Sequence, residues 1–156
     1  MPRRSAGILL FRFVANRLEV MLVHPGGPFW AGKDEHAWSI PKGEIAEGED
    51  PLSAARREFA EETGLEPAGE AIPLKPCRQA GGKTVMAFAM QGEFDPARLR
   101  SNTFPLEWPP RSGRYQQVAE VDRAEWFKLQ EAREKIIAGQ RSLLEELEEL
   151  LGSRDA

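Results

Sequence analysis

The sequence predicts a fold of the α/β (α+β) class, and three observations support this prediction. Two apolar runs, residues 6–13 and 18–24, are separated by a four-residue turn and have the pattern of a buried β-hairpin. Residues 51–62 follow an Asp-Pro pair, contain no helix breaker and end shortly before Gly64, which predicts a helix. Helical patterns near the C-terminal end complete a mixture of strands and helices.

Length and composition are typical of one globular domain. The chain has 156 residues, of which 41% are hydrophobic and 29% charged, enough for one full core. We expect a single domain over residues 1–156 that includes the C-terminal helices within residues 129–151. The formal net charge of −4 opposes non-specific binding to nucleic acid or anionic membranes, so neither partner is expected. It does not oppose a phosphorylated small molecule, because a bound metal ion supplies positive charge locally.

The cysteine count and the N-terminal sequence indicate the compartment. Cys77 is the only cysteine, which excludes an internal disulfide and a cysteine-rich zinc site. We interpret it as a small strand residue. The N-terminus shows no cleavable signal pattern, and no apolar run reaches membrane-spanning length. A cytoplasmic location is therefore expected.

The predicted helix carries an acidic face. Glu58, Glu61 and Glu62 stand at i, i+3 and i+4, so their carboxylates share one side of the helix. Three like charges repel one another unless a cation neutralises them. Arg57 could pair with one carboxylate, but a hard divalent cation such as Mg²⁺ suits carboxylate oxygens better. The alternative is a solvated acidic face without a ligand.

The residues around this face resemble the complete Nudix box. Gly43 is followed after five residues by Glu49, and after seven more by Arg57-Glu58-Phe59-Ala60-Glu61-Glu62-Thr63-Gly64-Leu65. Every fixed position of the motif is filled at its spacing, which is far more specific than a lone glycine loop. Phe59 departs from the aliphatic residue that the family usually has at that position. The box covers residues 43–65, and the order of predicted elements around it also fits the family.

The resemblance implies an α/β/α sandwich with a mixed β-sheet and a loop–helix–loop catalytic motif. It also implies hydrolysis of a nucleoside diphosphate linked to another moiety, with Mg²⁺ or Mn²⁺ as the cofactor. The implied metal ligands are the carbonyl of Gly43 and the carboxylates of Glu58, Glu61 and Glu62. Arg57 is expected to orient the carboxylates by charge-assisted hydrogen bonds. Glu49 is expected to shape the loop rather than to transfer a proton.

The general base is not fixed by the motif. Glu61, Glu62 and Glu120 are the candidates for taking the proton of the attacking water. Residues 115–127, which contain Glu120, resemble the late Nudix strand that carries an acid and leads into the last helix; Glu107 and Glu125 are the rivals of Glu120. The predicted catalytic set is Arg57, Glu61, Glu62 and Glu120.

The segment before the box gives a clue to the substrate. Trp38-Ser39-Ile40-Pro41-Lys42-Gly43 is similar to a segment of Nudix proteins that act on diadenosine polyphosphates or diphosphoinositol polyphosphates. Lys42 is predicted to meet a substrate phosphate, and the predicted substrate is a (di)nucleoside polyphosphate. The alternatives are an enzyme that hydrolyses oxidised nucleoside triphosphates and a Nudix domain that senses a ligand without hydrolysis. The intact acidic set argues against the sensor.

Two loops carry aromatic residues. Residues 92–114 are predicted as a long irregular connection, a kind of loop that is usually functional or mobile. Within it, Trp108 and Arg111 are predicted to bind substrate by stacking on a base and holding phosphate; the alternative is a proline-stiffened cover or a subunit contact. In an earlier glycine-rich loop, Phe29 and Trp30 are expected to anchor the loop to the core rather than to stack on a base.

The remaining elements are assigned from pattern alone. Strands are predicted at residues 36–41, 71–79 and 83–90, and helices at residues 129–137 and 141–151. A leucine stripe on the last helix packs on the domain or on a second subunit, so a homodimer and an interaction module both stay open; its members are Leu143, Leu144, Leu147, Leu150 and Leu151. His24 and His36 lack the spacing of a metal site or a catalytic triad and are expected to be structural.

Overall fold

The computed structural model describes residues 4–151; residues 1–3 and 152–156 of the predicted domain lie outside this range. The strands are β1 (Arg4–Val14), β2 (Arg17–Pro25), β3 (Lys42–Glu44), β4 (Ala71–Pro73), β5 (Cys77–Arg78), β6 (Thr84–Gln91), β7 (Thr103–Glu107), β8 (Tyr115–Ala119) and β9 (Val121–Lys128). The helices are α1 (Pro51–Thr63), α2 (Leu129–Lys135) and α3 (Arg141–Leu151). Short 3₁₀ turns cover Ala80–Gly82, Pro96–Arg98 and Ala138–Gln140.

A mixed sheet forms the centre of the molecule, with strand order β4-β6-β1-β2-β9. The apolar strand β1 pairs in parallel with β6 and antiparallel with β2. The first half of β1 also pairs with the short strand β3, which places Gly43 opposite Ala6. Because β3 is the start of the Nudix-like box, the box is attached directly to the most buried strand of the sheet.

Helices cover both faces of the sheet, so the predicted α/β/α sandwich is confirmed. Successive residues of β1 point to opposite faces, as expected for a strand. Ile8 and Leu10 belong to the apolar layer that contains Phe59 of α1. Leu9 and Phe11 belong to the layer that contains α2 and α3.

Local signals determine where α1 begins and ends. The carboxylate of Asp50 accepts a hydrogen bond from the Ser53 N–H at 3.1 Å, and Pro51 occupies the first turn. Gly64 has a φ of 85° and its N–H donates to the Ala60 carbonyl at 2.8 Å. Both predicted ends are therefore confirmed, and the acidic face lies on one rigid helix.

The leucine stripe of α3 belongs to the core of this chain. Four of its members are buried against the sheet: Leu143, Leu144, Leu147 and Leu151. Leu150 is half exposed because it lies at the edge of the stripe in the last turn of the helix. The interpretation of the stripe as an exposed interaction module is therefore wrong.

The connection after β6 is more regular than predicted. Residues 92–114 contain β7, which pairs with β8 from Thr103↔Ala119 to Glu107↔Tyr115 and forms a separate two-stranded sheet. Residues 115–127 form two strands, not one, and Glu120 lies between them. The sequence failed to indicate β7 because Pro105 is atypical of a strand, and only the long-range pairing identifies it.

Two other predicted strands differ from the structure. Residues 36–41 form no regular strand, although Ser39 exchanges two backbone hydrogen bonds with Val23, at 2.8 and 3.0 Å. Residues 71–79 are divided into β4 and β5, because proline residues lack the N–H that a continuous ladder needs. The strand β4 lies at the edge of the sheet, as its prolines predicted, and Cys77 is buried in β5.

The aromatic pair in the early loop has divided roles. Trp30 packs against the core, as expected. Phe29 does not, since 55% of its surface is exposed and the Lys33 ammonium lies 3.8 Å from its ring centroid. The predicted anchoring is therefore wrong for Phe29, because the loop presents only one of the two neighbouring rings to the core.

His24 has the structural role expected from the sequence. Its ring is buried, with Nδ1 2.9 Å from the Asp122 carboxylate and Nε2 2.6 Å from the Lys33 carbonyl oxygen. His24 thus joins β2 to the early loop and to β9.

Within residues 4–151, no helix is both long and apolar enough to cross a membrane.

Candidate active site

Arg57 organises the acidic face of α1. Its Nε donates to Glu49 Oε2 at 2.8 Å, and its Nη1 lies 2.9 Å from Glu58 Oε1 and 3.2 Å from Glu61 Oε1. Its Nη2 also donates to the carbonyl of Glu44 at 3.1 Å. One guanidinium therefore holds two carboxylates of the helix and the loop that precedes it, which is the contact pattern predicted for Arg57.

Glu49 fixes the loop before the helix. It accepts hydrogen bonds from Arg57 and from the Ala46 N–H at 2.9 Å. The bonds from Arg57, followed by the backbone bond, lower the pKa of Glu49 to about 2. A carboxylate that is held ionised and fully engaged in this way is poorly suited to accept a proton. The geometry therefore agrees with a loop-shaping role.

Gly43 and Glu58 are in close contact. A Cβ atom at Gly43 would overlap with the carboxyl group of Glu58. Position 43 has no need of glycine for its backbone angles, because it lies in strand β3 and its φ is not positive. A side chain at position 43 would therefore displace the Glu58 carboxylate from its place beside the backbone.

A small cavity of about 180 Å³ brings together residues that are far apart in the sequence. Lys42, Glu62 and Glu120 provide its charged lining, and Val23, Pro25, Ser39 and Val121 complete it. Lys42 precedes Gly43 in β3, Glu62 lies near the end of α1, and Glu120 lies between β8 and β9. The structure therefore brings together three of the predicted site residues in one cavity.

The electrostatics of this cavity favour a cation. The pKa of Glu62 is raised to about 8, chiefly by burial and also by the negative charges of Glu58 and Glu120, against the opposing effect of Lys42. Burial also raises the pKa of Glu58, and burial lowers the pKa of Lys42. A positive ion beside Glu62 and Glu58 would stabilise their ionised forms.

Glu120 is held beside α1 by a short hydrogen-bonded bridge. The Asn102 N–H donates to the Glu61 carbonyl at 2.8 Å, and the Glu120 N–H donates to the Asn102 carbonyl at 3.0 Å. The Ser101 hydroxyl donates to the Asn102 carbonyl at 2.8 Å and accepts from the Val121 N–H at 3.0 Å. Sequence reasoning missed Ser101 and Asn102, because no local pattern signals a contact between segments so far apart.

Trp108 and Arg111 lie away from this cavity. They are at the closed end of the β7–β8 hairpin, where the Trp108 N–H bonds to the Arg114 carbonyl at 2.9 Å. From Ala119 to Arg114 the ribbon runs five residues, or about 17 Å at the usual strand rise. Trp108 and Arg111 are therefore remote from Glu120. Their role in substrate binding stays a prediction.

The donor set fits a hard divalent cation. The residues that would hold it are Glu58 and Glu62, with the carbonyl of Gly43 and with Glu61, which is exposed on the same helix. All are oxygen donors, as Mg²⁺ and Mn²⁺ require. The Glu58 carboxylate occupies the space where a side chain at position 43 would lie. Among residues 4–151, no three acidic, histidine or cysteine side chains converge on one point; Glu58 and Glu61 are hydrogen-bonded to Arg57 instead.

Without metal, burial of Glu62 should make the stability of the protein depend on pH. A native-state pKa of about 8 lies above the ordinary value of 4.5, so the folded chain binds more protons than the unfolded chain between these values. Stability in EDTA is therefore expected to fall as the pH rises from 5 towards 8. Thermal unfolding at pH 5.5, 6.5, 7.5 and 8.5 measures this slope. Glu62→Gln should flatten it, whereas the exposed control Glu66→Gln should not; an unchanged slope in Glu62→Gln would contradict the assignment.

The sequence as a whole is similar to known proteins. The NUDIX domain profile matches residues 1–147. The RNA pyrophosphohydrolase of Brucella anthropi is 32% identical, over 82% of this chain and 83% of that protein. The RNA pyrophosphohydrolase of Brucella ovis is 30% identical, over 82% of each.

Solved structures show the same fold. A C. elegans Ap4A hydrolase in a binary complex superposes with a TM-score of 0.65 and 23% identity, over 97% of this chain and 98% of that one. The NUDIX domain of Shewanella oneidensis NrtR, crystallised with ADP ribose, also gives a TM-score of 0.65, with 20% identity over 97% of this chain and 89% of that one. At these identities the likeness concerns the fold alone.

Proposed function

Since this chain belongs to the NUDIX family, we propose that it uses a divalent metal ion to hydrolyse a phosphoanhydride bond at the triphosphorylated 5′ end of RNA. Family membership and the relatives already make it a Nudix pyrophosphohydrolase. The metal requirement, the residues and the substrate are the proposal. The observation that carries it is the cavity in which Lys42, Glu62 and Glu120 meet, next to the contact between Gly43 and Glu58.

The choice of RNA rests on the relatives. Proteins named RNA pyrophosphohydrolase match this chain over most of their own length at 30–32% identity. The net charge of −4 opposes non-specific binding along a nucleic acid. It is compatible with recognition of an RNA end, because a triphosphate is bound through metal and local cations. The net charge led us to expect no nucleic-acid partner; with this proposal, that expectation applies only to non-specific binding along a nucleic acid.

Each residue of the site has a proposed role. Glu58, Glu61, Glu62 and the Gly43 carbonyl would hold Mg²⁺ or Mn²⁺. When bound, the ion neutralises phosphate oxygens and makes water a better nucleophile. Lys42, at the cavity, supplies a further positive charge to a phosphate. Arg57 positions Glu58 and Glu61 through its hydrogen bonds.

The bond changes follow from this arrangement. A water oxygen attacks phosphorus and forms a new P–O bond, while the P–O bond to the leaving phosphate group breaks. Glu120 takes the proton of the water, because it is exposed at the cavity and the Asn102 carbonyl fixes its backbone. The products are a shortened 5′ end and a released phosphate or pyrophosphate.

A second substrate, a dinucleoside polyphosphate, is favoured by the segment from Trp38 to Gly43. In the structure Trp38 is buried, donates from Nε1 to Asp34 at 3.0 Å and packs edge-on against His24 and Phe127. The tryptophan is therefore part of the core, and its ring is not available for stacking on a substrate base. The same phosphate-binding residues serve a dinucleotide and an RNA end.

Product analysis over a substrate panel tests the proposal. The panel contains 5′-triphosphorylated RNA, a diadenosine polyphosphate, ATP, ADP-ribose and a diphosphoinositol polyphosphate, each with Mg²⁺ and with EDTA. We expect Mg²⁺-dependent conversion with kcat/KM on triphosphorylated RNA at least about tenfold above that on ATP, equivalent to about 1.4 kcal/mol of differential transition-state binding. Ion-exchange chromatography of the products measures both rates.

The other outcomes decide between the alternatives. A clear preference for the diadenosine polyphosphate would replace the RNA proposal with the second substrate. A preference for nucleoside triphosphates would indicate a nucleotide-pool sanitising enzyme. Metal binding without turnover of any compound would contradict the enzymatic proposal and favour a ligand sensor.

A further inference from the structure

The β7–β8 hairpin is a ribbon that has its own two-stranded sheet. One face packs on the early loop, where Leu106 and Val118 lie within 4.0 Å of the position that a Cβ at Gly27 would take. The opposite face, by strand alternation, carries Tyr115 and Gln117. Tyr115 is 68% exposed, which exceeds the exposure of every other large hydrophobic residue recorded for residues 4–151. The ribbon therefore presents an open aromatic and polar face.

The charge of this region is opposite to that of the whole chain. The hairpin, residues 103–119, contains two arginines, Arg111 and Arg114, and a single acid, Glu107, in a protein of net charge −4. Both arginines are exposed. The acid is engaged within the hairpin, since its carboxylate accepts from the Gly113 N–H at 3.0 Å. Exposed arginines beside an exposed aromatic ring are typical of surfaces that bind single-stranded nucleic acid.

The open face leads to the cavity. Tyr115, Gln117 and Ala119 follow one another on the same side of β8, and Glu120 comes directly after them. The distance from Tyr115 to Glu120 along the strand is about 17 Å at the usual rise per residue. A chain whose 5′ phosphates lie at Glu120 can therefore extend along the ribbon, whereas a mononucleotide cannot reach its far end.

We propose that the open face of the hairpin binds the single-stranded RNA that continues from the triphosphorylated 5′ end, with Tyr115 stacking on a base and Arg111 and Arg114 contacting backbone phosphates. This inference rests on the proposed function. RNA is a better fit than a protein partner because the hairpin carries two exposed arginines and one exposed aromatic ring and no continuous apolar surface. Substrate length, and not only the reacting phosphates, thus determines affinity.

The test compares two substrates of different length. Steady-state kinetics are measured on a 5′-triphosphorylated dinucleotide, which ends near the cavity, and on an octanucleotide, which reaches the hairpin. Wild-type protein should have a KM about tenfold lower for the octamer, the size expected for one stacked base. Tyr115→Ala should raise the octamer KM about tenfold relative to the dinucleotide KM, and Tyr115→Phe should restore it because the ring is retained.

The charges are tested by salt dependence. Replacing both Arg111 and Arg114 by alanine should reduce the slope of log kcat/KM against log salt by about 1.4 for the octamer, since each lost phosphate contact contributes about 0.7. The control, Arg17→Ala with Lys75→Ala, removes two exposed charges that lie outside the hairpin and the cavity. It should leave kcat/KM and its salt slope unchanged for both substrates.

Each outcome separates the inference from the proposed function. If the dinucleotide and the octamer have the same KM, or if the hairpin variants leave the octamer unchanged, the inference is wrong while hydrolysis of RNA ends stands. If neither RNA is hydrolysed, the proposed function fails and the inference fails with it. An octamer advantage that disappears in Tyr115→Ala and returns in Tyr115→Phe supports both.

Discussion

Replacement of Glu62 by glutamine is expected to lower kcat by about 10³-fold, the effect of removing a major electrostatic contribution to the transition state. The side chain keeps its size and can still accept the hydrogen bond from the Lys42 backbone, so the fold should persist. What is lost is the negative charge, and with it the proposed metal ligand at the cavity. Single-turnover rates on triphosphorylated RNA measure the effect independently of product release.

The same substitution should stabilise the metal-free protein. At pH 8.5 the buried carboxylate of Glu62 is largely ionised, because its pKa is about 8, and glutamine removes the cost of burying that charge. A variant that is more stable but inactive is the pattern expected of a functional residue. The matched control is Glu66→Gln, an exposed position just beyond α1, which should retain wild-type kcat. Normal turnover by Glu62→Gln would contradict the assignment of Glu62.

The second large effect is expected from Gly43→Ala. The added methyl group would occupy the space of the Glu58 carboxylate, and a side chain this long can rotate away without disturbing the sheet. We therefore expect kcat/KM to fall by about 10²-fold, as for the loss of one stabilising group, with little change in thermal stability. Circular dichroism melting and initial rates, measured on the same preparation, separate these effects.

A matched glycine serves as the control for Gly43. Gly32→Ala adds the same methyl group at a position where no atom lies within 4 Å of the new Cβ and where φ is not positive. It should retain both stability and activity. A Gly43→Ala protein with wild-type activity would show that the contact between Gly43 and Glu58 has no catalytic consequence. Loss of folding in Gly43→Ala would instead show that the glycine is required by the packing of β3.

The parts of the fold that local sequence determines were predicted well. The ends of α1 follow from Asp50, Pro51 and Gly64, each of which acts within one turn of the helix. The hairpin of β1 and β2 follows from two mostly apolar runs around a short turn, in which Asn16 has a φ of 66°. The carboxylates of the box share one face because helical spacing alone places them there.

The parts that depend on distant pairing were not predicted. The strand β7 contains Pro105 and is recognisable only from its partner β8. The bridge from Glu61 through Asn102 to Glu120 joins residues that are far apart in the sequence. No local pattern contains this information, although the resemblance to the Nudix family led to Glu120 by analogy. The exposed position of Phe29 was missed because a sequence does not show which of two adjacent rings meets the core.

Direct titration with Mn²⁺ tests the central claim, that Gly43, Glu58 and Glu62 form a divalent-metal site. The loss of the electron paramagnetic resonance signal of free Mn²⁺ reports binding without any substrate. We predict saturable binding to wild-type protein and to Gly32→Ala, with affinity reduced by at least about tenfold in Glu62→Gln and in Gly43→Ala. Equal affinity in all four proteins would place the metal elsewhere and contradict the account.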